Sequence, residues 1–302
     1  MSEGEQVEGL RKVLDAMNTN KKRSRTFNQI AQLYDMARPH YPAELMADLL
    51  ELAQLSPTAQ ILEIGTGTGK ATLPMARRGF NLHCLEPGNN LAAVAAENLR
   101  PYPNATIKTS TFEDWPLQTE VYDLVMSAQA FHWVDPTVGY AKAAQALKPT
   151  GNIALIWNIA SKSDDAIFQQ LDQIFITYAE WRIRPFEELQ KEREQELIAS
   201  ECFAEPIVKR YPWSLQYTTQ QYLDLVRTQS DYLIQPEVKQ RELLDAIATI
   251  LENNGGGILR PYVSVLLVAQ KTYLATVDPR RTGSEFSRMG CSASQNRRFL
   301  GR

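Results

Sequence analysis

Three glycines at every second position, Gly65, Gly67 and Gly69, stand between the apolar pair Ile61-Leu62 and a segment from Thr72 to Arg78 that reads as a helix. A turn this rich in glycine lets a backbone approach a polar, nucleotide-like ligand closely at the mouth of a helix. The spacing narrows the ligand. A dinucleotide fingerprint, G-x-G-x-x-G counted from Gly65, needs its third glycine at position 70, which is Lys70. A phosphate loop, G-x-x-x-x-G-K-[ST] ending at Gly69-Lys70, needs glycine at 64 and Ser or Thr at 71; the chain has Ile64 and Ala71. Neither phosphate pattern is met. A plain glycine-rich turn remains open at this point.

A second acid adds to the first signal. Phe80 to Leu85 is apolar enough for a buried parallel strand, ends at Glu86, and is broken by Pro87-Gly88. Glu86 lies about 17 residues past Gly69, where nucleotide-binding sheets place the acid that pairs with ribose hydroxyls. A carboxylate suits a vicinal diol because it accepts hydrogen bonds at both oxygens.

Elsewhere strand and helix alternate. Strands are expected at 61–64, 81–85, 105–108, 122–127 and 152–157, and helices from Phe27, at 43–55, 70–78, 90–99 and 136–147, with a turn at Leu147 to Gly151. This rhythm predicts an α/β, doubly wound, parallel sheet. It changes after residue 158. Asp164 to Ser200 reads as helical, Ile207 to Leu215 as a strand, Gln220 to Asn253 as helical with a polar middle, and Tyr262 to Ala269 as a strand. Residues 1–25 are expected to form a mobile arm and 274–302 a disordered basic tail; Val7 to Met17 could add a helix to the arm. Between them, 26–160 forms the core, and 161–273 adds a helical cap and two last strands to the same domain.

Composition excludes several function classes. A formal charge of −3 argues against an obligate nucleic-acid partner. No run approaches about 18 apolar residues, and Met1 to Glu5 is acidic with no apolar signal core, so neither a membrane span nor a leader is expected. Cys84, Cys202 and Cys291 are scattered and odd in number, and His40, His83 and His132 form no metal-ligand spacing with them. These features predict a cytoplasmic protein without structural metal, a monomer or weak homodimer.

Five segments then occur in order: Tyr34 to Pro42, Ile61 to Gly69, Phe112 to Pro116, Ala128 to Asp135 (AQAFHWVD) and Leu147-Lys148-Pro149. Together they resemble the small-molecule branch of the class I S-adenosylmethionine (SAM) dependent methyltransferases that includes trans-aconitate methyltransferases. The resemblance covers about residues 26 to 273 and is strongest before 158. It implies SAM as cofactor and a Rossmann-like sheet of seven mostly parallel strands, with the helical cap inserted near the last, partly antiparallel ones. It implies that Glu63 heads an acid-G-x-G-x-G motif and that Gly65, Thr66, Gly67 and Glu86 hold the cofactor. Thr111, Phe112 and Glu113 would surround the adenine, with Thr111 where many relatives carry Asp, and Gln129 would lie near the methionine end. The prolines that nitrogen methyltransferases often carry after the fourth strand are missing from Ser127 to Phe131, which argues against an adenine or amide nitrogen acceptor.

Methyl transfer is an in-line displacement on an activated donor, so the protein mainly supplies alignment and a dry site. A small-molecule carboxylate acceptor needs no base but does need a cation; Arg182, Arg184, Arg227 and Arg260 are candidates, with Arg227 favoured because Thr228 and Ser230 flank it. A hydroxyl acceptor would need a base, and His132 is the candidate, against a structural role between Phe131 and Trp133. Tyr34, Trp133 and Trp157 are candidates for the pocket wall. Two other function classes stay open: a non-catalytic SAM-binding protein, and a nicotinamide oxidoreductase.

Overall fold

The computed structural model describes residues 26–179 and 184–272. The expected arm with its Val7 to Met17 helix, the expected tail, Arg182 and Cys291 lie outside the described residues.

A short 3-10 turn (Phe27–Ile30) leads into α1 (Ala31–Ala37) and α2 (Ala43–Leu52). Then come β1 (Gln60–Ile64), α3 (Thr72–Ala76), β2 (Asn81–Glu86), α4 (Asn89–Leu99), β3 (Ala105–Thr109) and β4 (Tyr122–Ala128). A second 3-10 turn (Phe131–Trp133) precedes α5 (Pro136–Ala146) and β5 (Leu147–Ala160). The cap helices α6 (Ala166–Ala179) and α7 (Phe186–Ala199) precede β6 (Ile207–Thr218). The helices α8 (Thr219–Arg227), α9 (Ser230–Leu233) and α10 (Glu237–Asn253) separate it from β7 (Gly257–Gln270).

The seven strands form one sheet in the order β3-β2-β1-β4-β5-β7-β6. β1 to β5 run parallel, and β7 lies antiparallel between β5 and β6. This is the Rossmann-like, mostly parallel architecture expected above. The strand order reverses between β1 and β4, and a sheet of this kind opens a crevice at the carboxyl ends of the strands at that point.

Both faces of the sheet are covered, which is why its central strands read as unbroken apolar runs. Ile61 of β1 packs with Leu45, Met46 and Leu49 of α2, whereas its neighbour Leu62 packs on the other face with Tyr140 and Ala143 of α5. A third cluster joins the cap to the sheet, with Phe168, Leu171 and Phe175 of α6, Leu243 and Ile247 of α10, and Tyr217, Ile258 and Tyr262 of the final hairpin.

Several boundaries differ from the sequence pattern for identifiable reasons. The helix expected at 70–78 is shorter, Thr72–Ala76, because the glycine turn continues through Lys70-Ala71. The turn expected at Leu147 to Gly151 is an irregular strand: Leu147 pairs with Tyr122, and the register shifts before Leu124 pairs with Asn152. The helical stretch from Gln220 splits into three helices, broken at Thr228-Gln229 and at Pro236. Thr218 starts the first of them with a reciprocal cap to Gln221. No helix among the described residues is long and apolar enough to cross a membrane.

Candidate cofactor and acceptor site

The glycine turn folds back on β2, where the N–H groups of Gly65 and Thr66 both donate to the Leu85 carbonyl. Two of its glycines are required for different reasons. Gly65 has φ +73°, and a Cβ there would stand 2.2 Å from the Cβ of Ala130. Gly67 has φ +60° and faces open space, with nothing within 4 Å of where a Cβ would be. One position lets two loops touch; the other leaves room for a ligand.

Glu86, at the end of β2, reaches under this turn. One carboxylate oxygen accepts from the Gly67 N–H and the other from the Gly88 N–H, each at 2.8 Å. The side chain is buried, which raises its pKa, while the two backbone bonds oppose the rise. Each oxygen keeps a second lone pair for a hydroxyl donor. Gln129 follows β4 in the left-handed region at φ +59°, fixed by its N–H to the Ile156 carbonyl and its side-chain amide to the Asn158 carbonyl.

Glu63 is the other buried acid. Burial pushes its pKa up to about 7, against the pull of the Thr72 hydroxyl bond, and the Glu86 charge adds to the rise. A carboxyl whose pKa is raised on folding binds its proton more tightly in the native state. Its contribution to stability is therefore fully present below the ordinary value of 4.5 and is lost as pH climbs to about 7. The thermal midpoint of the ligand-free protein should fall across that window, and Glu63→Gln should remove this part of the fall. Parallel pH profiles of the two proteins would contradict the assignment.

A cavity of about 380 Å³ opens above the turn. Its roof is the segment 27–42, fastened on two sides. On the cofactor side Asn28 accepts from the N–H groups of Asn90 and Leu91, and Lys70 donates to the Asp35 carbonyl. On the far side Arg38 donates to the Thr228 carbonyl and the Gln229 side chain, and Asn158 donates to the His40 carbonyl. Tyr34 and Tyr41 face into the space.

The structure sorts the sequence candidates. Tyr34, Glu63, Gly65, Thr66, Gly67, Gln129, His132 and Trp157 line this one cavity, with Glu86 bonded directly beneath it. Thr111, Phe112 and Glu113 do not line it. The Thr111 hydroxyl donates to the Asp114 carboxylate, Phe112 stacks on Trp115 in the core, and the Glu113 carboxylate accepts from the Asp135 N–H at the start of α5. Trp133 also lies off the cavity, edge-on to Phe27. Arg227 is held by Asp224 at 2.7 Å and stays outside, whereas Arg184 and Arg260 line the space. Arg38, Arg193 and Tyr262 join them and were not singled out in the sequence. Arg38 lies inside the Tyr34 to Pro42 segment and could have been noticed there; Arg193 sits in a charge-rich helix that reads as a solvated face.

His132 is held in one protonation state. Burial lowers its pKa to about 3, with the Arg193 charge adding to the effect. The Trp157 indole N–H, which can only donate, points to Nδ1 at 3.3 Å, so the neutral ring carries its proton on Nε2.

Comparison with known proteins agrees with this geometry. Residues 62–155 match the family model of a methyltransferase domain. An uncharacterized methyltransferase of Mycobacterium tuberculosis H37Rv is 27% identical over 261 residues, covering 82% of this chain and 96% of that protein. An uncharacterized methyltransferase of Schizosaccharomyces pombe is 31% identical over 140 residues, covering 46% of this chain and 55% of its own. Among solved structures, a proposed type II methyltransferase from Anaeromyxobacter dehalogenans shares the fold with a TM-score of 0.55 at 21% identity, over 78% of this chain and 96% of the other. A proposed antibiotic-pathway methyltransferase from Anabaena variabilis ATCC 29413 has a TM-score of 0.55 at 16% identity, over 76% and 98%. The residues present fit the cofactor: an open glycine at the ligand face, and a buried acid with lone pairs to spare for a diol. Over residues 62–155 the chain is therefore similar to methyltransferase domains, and its glycine turn and buried acid fit S-adenosylmethionine as cofactor.

Proposed function

We propose that the protein transfers a methyl group from SAM to a small-molecule acceptor, at a carboxylate oxygen. The observation that carries this reading is the shared cavity: the cofactor turn and a chamber lined by side chains of the cap and final hairpin open into one roofed space. Gly65, Thr66 and Gly67 would receive the cofactor's methionine part, and Glu86 its ribose hydroxyls. The bound cofactor supplies an electrophilic methyl group, so this chain's residues need only align the acceptor and exclude water.

The choice of a carboxylate oxygen rests on the acid–base groups in the chamber. A hydroxyl acceptor must lose a proton; the imidazole facing the space has its Nδ1 lone pair engaged by the Trp157 indole, and the Glu63 carboxyl accepts the Thr72 hydroxyl. A carboxylate is already deprotonated and needs no base. A dinucleotide is not favoured by the site: Lys70 fills the position of the dinucleotide's third glycine and is bonded to the Asp35 carbonyl.

Thermal shift gives the first test. A ligand at about 100 times its Kd stabilises the native state by about 2.7 kcal/mol, so SAM or S-adenosylhomocysteine should raise the melting point by a few degrees and NAD should not. No shift with either SAM form would sink the proposal. The second test incubates methyl-labelled SAM with a panel of small carboxylic acids and phenols. Label that becomes volatile methanol on mild alkaline hydrolysis marks a methyl ester; alkali-stable label would move the acceptor atom to a hydroxyl, nitrogen or carbon.

A further inference from the structure

The start of β7 holds a buried cation whose partners are nearly all neutral. Because β7 runs antiparallel to β5, its first residues enter the sheet from the ligand side. Tyr262 pairs with Ala160 at the last position of β5, and Arg260 stands beyond it. Arg260 is only 8% exposed. Its guanidinium lies 5.3 Å from the Tyr222 ring centroid and 5.8 Å from that of Tyr262, and Nη1 donates to the Tyr222 hydroxyl.

No carboxylate completes the arrangement. Asp172 on α6 is near enough to feel the charge, yet no Asp or Glu oxygen of the described residues comes within 4.0 Å of the guanidinium. The Tyr222 hydroxyl is its one hydrogen-bond partner among the described residues, so most of its N–H groups are uncommitted. The side chain forms part of the cavity wall that also carries the cofactor turn. Burying a charge without a counter-ion is costly, and the surrounding rings return only part of that cost through cation–π contact.

A second cation stands nearby. Arg38, from the roof, faces the same space, and its Nε is buried with no partner. The charges of Arg38 and Arg260 both act on Tyr217 and Tyr262, whose hydroxyls are hydrogen-bonded at 2.9 Å. Two guanidinium groups and a pair of phenols thus converge where the sheet places its ligand.

We propose that Arg260 anchors a carboxylate of the acceptor, in an anion-binding recess walled by Tyr222 and Tyr262 and flanked by Arg38. A carboxylate matches the planar fork of an arginine and would supply the counter-charge this site lacks. The inference rests on the methyltransferase reading only in calling the ligand the acceptor.

The test uses the full chain saturated with S-adenosylhomocysteine and titrated with succinate, acetate or inorganic phosphate at constant ionic strength, followed by calorimetry and thermal shift. Succinate should bind saturably to the wild type. Arg260→Met should weaken it at least tenfold while keeping the S-adenosylhomocysteine shift. Arg260→Lys, which keeps the charge and loses the fork, should fall between them, and it serves alone if the Met variant does not fold. Equal succinate binding in wild type and variant overturns the proposal, as does no binding of succinate or acetate to the wild type. Phosphate binding more tightly than succinate, with the same dependence on Arg260, overturns the carboxylate assignment. Loss of the S-adenosylhomocysteine shift in the wild type instead removes the methyltransferase reading and leaves anion binding to be judged on its own titration.

Discussion

Glu86→Gln should weaken SAM binding by about 10- to 100-fold, because hydrogen bonds to a charged acceptor contribute about 1.5–3 kcal/mol and each 1.4 kcal/mol is about tenfold in Kd. In the native protein both carboxylate oxygens are already half used, one by the Gly67 N–H and one by the Gly88 N–H. The remaining lone pairs are what a ribose diol would engage. An amide keeps one acceptor and turns a donor toward one of those two N–H groups. Relief of a buried charge offsets part of the lost bonding, so the ligand-free melting point should move little. Calorimetric titration with SAM alongside a ligand-free melt separates the outcomes. Unchanged affinity would mean that ribose hydroxyls do not meet this acid. A large fall in ligand-free stability would make Glu86 a brace for the turn.

The second large effect concerns the glycines, and it has two different signatures. Gly65→Ala should destabilise the fold by about 2–5 kcal/mol, combining left-handed backbone strain with overpacking. The new methyl would stand 2.2 Å from the Ala130 Cβ, so the turn and the loop after β4 would have to part. Gly67→Ala carries the same kind of backbone strain but meets nothing within 4 Å, so it should fold with a loss of about 1–2 kcal/mol. Its methyl enters the ligand space, and SAM binding should be the property it loses. Melting curves and titrations of both variants give the test. If Gly65→Ala melts like the wild type, the close packing against Ala130 is wrong. If Gly67→Ala binds SAM normally, the ligand does not cross that glycine.

The donor half of the site was largely legible in the sequence because it is local. A strand, a glycine turn and a helix occupy one short stretch, and the second acid closes the next strand, so spacing could bring Gly65, Gly67 and Glu86 together, and the family resemblance added Glu63. Helix and strand order was legible for the same reason. What failed to show was long-range. Thr111, Phe112 and Glu113 follow β3 in sequence, but the Glu113 side chain turns to the start of α5, a partner remote in the chain. Arg227 looked like the cation because polar residues flank it. Thr228 instead caps the end of α8, its hydroxyl bonding the Leu225 carbonyl and its carbonyl receiving Arg38, while Ser230 opens α9. The burial of Arg260 depends on aromatic residues drawn from α8 and both hairpin strands, and no spacing rule carries that information. The breaks at Thr228-Gln229 and Pro236, which set the cap's geometry, were only faint in composition.

The reversed last strand sets the far wall of the cavity apart from the glycine turn in sequence. The methyltransferase family match ends at residue 155, while Arg260, Tyr222 and Tyr262 all follow it. Because β7 runs backwards, residues late in the chain reach the same cavity as the glycine turn without sharing a segment with it. On the proposed function, substitutions near position 260 should change acceptor binding while leaving the glycine turn unaltered. Relatives with the same glycine signature need not share a substrate, and the residue at this one strand start is the place to compare them first.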